Sequence, residues 1–127
     1  MALTSIGDHV AILPEAAGGH MSTKAILQRL GLVVHELEVD YINKKIDIRR
    51  SLDMFKKYSP KVIFIDRSEG LVYEDFSWLK DVPAYKIFDA SQYLTNIISK
   101  DYPNPFQWGV HLILTTLHKN LPDLNVQ

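Results

Sequence analysis

Val110-His111-Leu112-Ile113-Leu114-Thr115-Thr116-Leu117-His118-Lys119-Asn120-Leu121 is the stretch that decides how this chain is read. Apolar residues run up to two threonines, then give way to a histidine and a lysine. The pattern predicts a buried strand that delivers polar side chains at its C-terminal end, where open α/β sheets place their ligands. A lysine desolvated in such a place offers a neutral amine for Schiff-base chemistry. A solvated loop lysine fits the same letters, so the choice rests on what precedes it.

Upstream, strand and helix signals alternate. His9 to Leu13 reads as a short strand closed by Pro14, and Ala16 to His20 as a flexible loop. Ser22 or Thr23 caps a helix to Leu30, with Ile26, Leu27 and Leu30 on one face and Gly31 as its stop. Leu32 to Leu37 is a second strand, and residues 38–46 a connection. Asp47 caps a helix in which Ile48, Leu52 and Phe55 recur at helical spacing up to Tyr58, while Arg49, Arg50, Lys56 and Lys57 form a solvated face. Lys61 to Asp66 is apolar on both faces, as strands inside parallel sheets are. A short helix around Asp75 to Leu79 follows. Ala84 to Phe88 is a fourth strand ending at Asp89. Ser91 opens a helix with Tyr93, Leu94, Ile97 and Ile98 as a core stripe. Asp101 to Gln107 is irregular, and the opening stretch is the fifth strand. Repeated β-α-β units predict an α/β fold of three layers about a central parallel sheet of about five strands, in the spatial order two, one, three, four, five. Residues 1–127 read as a single domain.

Composition narrows the function. The chain has 127 residues, 46% hydrophobic and 23% charged, with net charge −1. That balance lacks the basic footprint of a nucleic-acid or anionic-membrane binder. There is no cysteine, hence no disulfide, thiol nucleophile or zinc–thiolate site. No stretch is long and apolar enough to span a bilayer, and Met1 to Asp8 is not a secretory leader. The expected location is cytoplasmic. His9, His20, His35, His111 and His118 show no recognised metal-ligand spacing.

In this architecture the C-terminal strand ends share one crevice. His20 follows strand one, Ser68 strand three, Asp89 strand four with Gln92 close behind, and Thr116, His118 and Lys119 strand five. Each has a plainer role open to it: loop histidine, turn serine, helix-capping aspartate, β-forming threonine. Together, an amine and a carboxylate on neighbouring strand ends are the equipment that pyridoxal phosphate uses.

The residues resemble a family. Thr115-Thr116-Leu117-His118-Lys119 resembles the T-T-T-H-K motif of serine hydroxymethyltransferases, whose lysine carries pyridoxal phosphate. Gly18-Gly19-His20-Met21 resembles the family's G-G-H-L, whose histidine stacks on the cofactor ring. Ile65-Asp66-Arg67-Ser68 lies where the family has a G-x-S segment, whose serine sits near the cofactor. Phe88-Asp89-Ala90-Ser91-Gln92 resembles D-x-A-H, whose aspartate pairs with the pyridine nitrogen. The resemblance runs from about Gly7 to Pro122 and implies the central part of a fold-type I large domain.

It also implies the roles. Lys119, Asp89, His20 and Thr116 would be catalytic. Lys119, Asp89, His20, Ser68, Gln92 and His118 would hold pyridoxal phosphate, with tetrahydrofolate as co-substrate and no metal. The implied reaction interconverts serine and glycine; a divergent aldolase-like cleavage would use the same parts. Gln92 stands where the family has a histidine, Gly70 where a tyrosine is usual, and the glycine-proline loop after Leu121-Pro122 is replaced by Asp123 to Gln127. The family is several-fold longer, so this segment is not expected to turn over alone. A non-catalytic remnant and one piece of a split enzyme remain alternatives. The fifth strand would lie at an uncovered border, with Phe106 and Trp108 exposed nearby. Self-association, or a partner supplying further strands, is expected.

Overall fold

Strand order gives the molecule its shape. In the computed structural model, which describes residues 3–43, 45–68 and 74–119, the central sheet contains β1 (His9–Ile12), β2 (Val33–Glu36), β5 (Val62–Ile65), β6 (Tyr85–Asp89) and β7 (Leu112–Leu114). They lie in the order β2-β1-β5-β6-β7 and all four pairings are parallel. This is the order read from the sequence. β3 (Val39–Asp40) and β4 (Lys45–Ile46) form a small antiparallel hairpin inside the stretch read as a plain connection.

Parallel strands need helical crossovers. α1 (Thr23–Arg29) packs on one face, and α2 (Ile48–Tyr58) and α3 (Leu94–Ser99) on the other. α2 starts where Asp47 accepts a hydrogen bond from the Arg50 amide at 3.0 Å. It ends at Ser59, whose φ of +46° takes the chain out of the helix before Pro60. Under α2 and α3, Ala11, Ile63, Ile65 and Phe88 are fully buried. They meet Met54, Phe55, Phe76, Tyr93, Tyr102 and Trp108 in one core. The opposite face buries Val10, Val62 and Leu32, with Leu27 of α1 packed against them.

Several expectations are corrected. Trp108 is buried in the aromatic core rather than exposed, whereas Phe106 is exposed. Ile98 is 67% exposed, because α3 starts at Leu94 and is too short to turn every apolar residue inward. Ile26, Leu30 and Ile48 are likewise exposed, leaving Leu27 as the apolar contact of α1. The fifth strand shrinks to three residues, and Leu112 and Leu114 are 44% and 43% exposed instead of buried. A border strand has cover on fewer sides.

One polar residue lies inside the sheet. Lys86, mid-strand in β6, is buried, and its ammonium donates to the carbonyls of Val82 at 2.8 Å and Lys80 at 3.3 Å. Burial pulls its pKa below the usual lysine value, against the opposing charge of Asp81.

Candidate functional site

The loops leaving the C-terminal strand ends enclose a crevice of about 280 Å³. β1 runs through Pro14 into a 3-10 turn, Glu15–Ala17, and then Gly18-Gly19-His20. A Cβ on Gly19 would overlap the carbonyl oxygen of Leu13, so that approach requires glycine. This loop is laced to the residues after β5. Gly19 bridges Arg67, the His20 amide donates to the Asp66 carbonyl at 3.2 Å, and the Ser68 amide donates to the Gly18 carbonyl at 2.9 Å. His20 is thereby held beside the end of β5, its ring Nδ1 2.8 Å from Ser22 Oγ.

Asp89 closes β6. Its Oδ1 accepts from the Ser91 amide at 2.8 Å, an Asx turn that fixes the carboxylate before α3 begins. Ser91 Oγ in turn accepts from the Thr116 amide at 3.2 Å and ties in the loop after β7. A 3-10 turn, Leu117–Lys119, brings the exposed Lys119 to the rim. His20, Ser68, Asp89, Gln92, Thr116 and Lys119 thus line one crevice, and His118 lies in the turn beside Lys119. Gly70 and residues 121–127 fall outside the described residues.

Among the lining groups that the reading of the sequence passed over is Asp66. Asp66 follows β5 as the last β6 residue, Asp89, follows Phe88: Ile65 and Phe88 are register partners, so the two residues hold matching positions on neighbouring strands, and both line the crevice. Asp66 is 5% exposed, accepts from Thr23 Oγ1 through Oδ2, and has no hydrogen-bond partner for Oδ1 among the described residues. Desolvation raises its pKa above the ordinary 3.8, against the Thr23 bond that lowers it. Arg67 turns away to Glu74, at 3.0 Å. A larger cleft of about 800 Å³ lies at the opposite, N-terminal strand edge, far from this chemistry.

A scan against models of protein families finds no match. The fold is that of a fold-type I large domain: an L-threonine transaldolase from Pseudomonas fluorescens superposes with a TM-score of 0.77 over 88% of this chain and 26% of its own length, at 18% identity. Sequence likeness is more specific. The serine hydroxymethyltransferase of Pyrobaculum aerophilum is 33% identical over 95% of this chain, and that of Thermococcus onnurineus 29% over 94%. The chain spans 30% of the length of each. In sequence the chain is similar to one part of serine hydroxymethyltransferases.

Proposed function

We propose that this segment is the ring-binding core of a pyridoxal-phosphate site for serine and glycine interconversion with tetrahydrofolate. The observation that supports it is the meeting of His20, Asp89 and Lys119, from three separate stretches, around one crevice. This donor set fits the ring and aldehyde end of the cofactor. Bound pyridoxal phosphate would supply an electron sink for a substrate α-carbon. Asp89, with Oδ1 held by the Ser91 amide, keeps a carboxylate in place to accept the N–H of a ring nitrogen. His20 would stack on the ring, Lys119 would provide the amine, and Ser68 and Gln92 would offer hydrogen bonds. Thr116 and His118 would serve the substrate side. The cations among the lining residues are Lys119 and Arg67, and Arg67 is engaged by Glu74, so the phosphate needs groups from elsewhere.

Gln92, standing where the family has a histidine, favours a second reading as a divergent aldolase-like enzyme; one piece of a split enzyme, or a remnant that retains the core without turnover, are its other forms. In both, the border strand β7 invites strands from a partner or a second copy.

The test is borohydride reduction of the chain with pyridoxal phosphate, followed by peptide mass mapping. The expected product carries the label on Lys119 ahead of the other lysines, and Asp89→Ala reduces it. Even labelling of surface lysines would show that there is no site.

A further inference from the structure

His9 and His35 take no part in the crevice. They lie on neighbouring parallel strands, β1 and β2, with side chains on the α2 face. His35 is paired in register with Ala11, so His9 sits two residues nearer the strand start on the same face. The facing nitrogens, His9 Nδ1 and His35 Nε2, are 3.0 Å apart, with ring centroids 5.0 Å apart and planes tilted by 35°. Tyr58, the last residue of α2, stacks on His35 with centroids 4.1 Å apart and planes 21° apart, which fixes the plane of that imidazole. Both rings are half-buried, and β2 is a border strand, so one side of the pair opens to solvent.

Two ring nitrogens held face to face by separate strands form either a shared N–H···N bond or a chelate. Nitrogens 3.0 Å apart subtend about 90° at an ion about 2.1 Å from each. That angle suits tetragonal or octahedral coordination better than tetrahedral zinc, and imidazole suits nickel and copper. Asp8, the carboxylate next to His9 in the chain, is engaged by Lys61 Nζ at 2.9 Å and the Ser5 amide at 2.8 Å. Among the described residues no third histidine, cysteine or carboxylate completes a cluster.

We propose that His9 Nδ1 and His35 Nε2 form a two-histidine site for a divalent transition-metal ion of the nickel or copper class, with water in the remaining positions. Binding replaces the N–H···N bond: the shared proton moves to the outer nitrogen of the ring that carried it, and both inner lone pairs turn to the ion. The site is independent of the crevice, some distance along the sheet at the other strand ends.

Nickel chloride titrated into the untagged full chain tests this by calorimetry and by histidine ring NMR. One ion per chain is expected, and substoichiometric nickel should broaden the rings of His9 and His35 before those of His20, His111 and His118. His9→Gln and His35→Gln should each weaken binding about tenfold or more, while His111→Gln leaves it unchanged. Far-UV circular dichroism verifies that each variant folds, and the ring NMR of the unsubstituted chain decides the matter if one does not. Broadening that starts at His20, His111 or His118, or nickel affinity equal in folded His9→Gln and His35→Gln chains, would overturn the proposal.

Discussion

The two faces of the central sheet are built from the same strands and end differently. Under α2 and α3, Ala11, Ile63, Ile65 and Phe88 meet a set of rings that lock together. Tyr93 and Tyr102 stack at 4.6 Å, and Trp108 meets Phe88 at 6.0 Å and Phe76 at 5.7 Å. The α1 face has one short helix. Beside it runs an apolar groove of about 290 Å³, lined by Leu3, Val10, Leu27, Phe64, Ile87 and Leu114 among others. Strands apolar on both sides therefore do not guarantee burial. The closed face is closed because residues 76–108 return to it, and nothing described returns to the β6–β7 half of the other.

Substitutions sharpen this contrast. Phe88→Ala, on the closed face, should cost about 3–5 kcal/mol and abolish a cooperative urea transition, since a chain of this size has little more than that to lose. Leu27→Ala, on the open face, should cost only about 1–2 kcal/mol and leave the transition intact. Equal losses would mean that the two faces are equally closed. Next in size is the border. Replacing both Leu112 and Leu114 by lysine places charge on exposed strand positions, and should weaken self-association about tenfold in sedimentation at micromolar concentration. A chain already monomeric before substitution would remove the reason for this prediction.

The smallest effect concerns Asp66, at the crevice end of the open face. Burial raises its folded-state pKa above the ordinary 3.8. The stabilisation linked to its neutral form is complete below that ordinary value and is lost as pH rises through the raised folded value. Asp66→Asn is neutral at every pH and keeps an oxygen for Thr23. The stability of the unsubstituted chain relative to this variant should therefore fall as pH rises from about 4 towards neutrality. Urea denaturation across that range would show a flat difference if Asp66 were solvated.

The five-strand order was legible because Lys61 to Asp66 has no polar face, and strand and helix signals alternate on either side. The crevice was legible from polar residues placed after apolar runs: His20, Ser68, Asp89 and Lys119. Asp66 escaped although it occupies the same place as Asp89. A carboxylate after a strand reads as a terminator, and its burial depends on Thr23, 43 positions away. Lys86 escaped because its ammonium is satisfied by carbonyls of the turn before β6, which no side-chain pattern records. The β3–β4 hairpin has two residues in each strand, too few for any period to show. Ile26, Leu30 and Ile98 were misplaced because the periodicity of short helices fixes a stripe but not what lies opposite it.

The order β2-β1-β5-β6-β7 also governs how the chain is assembled on the ribosome. Register partners in β1 and β5 stand about fifty residues apart, and no two neighbours in this sheet are joined by a hairpin, so early strand pairing gains little from local contacts. β1 and β2 can meet first, but Ala11 and Ile12 wait for β5 to emerge before either has a neighbour on its other side. Lys119 and Thr116 are translated after every other lining residue. A nascent chain therefore leaves β1 half-paired until β5 emerges, and completes its crevice only once Lys119 has been made.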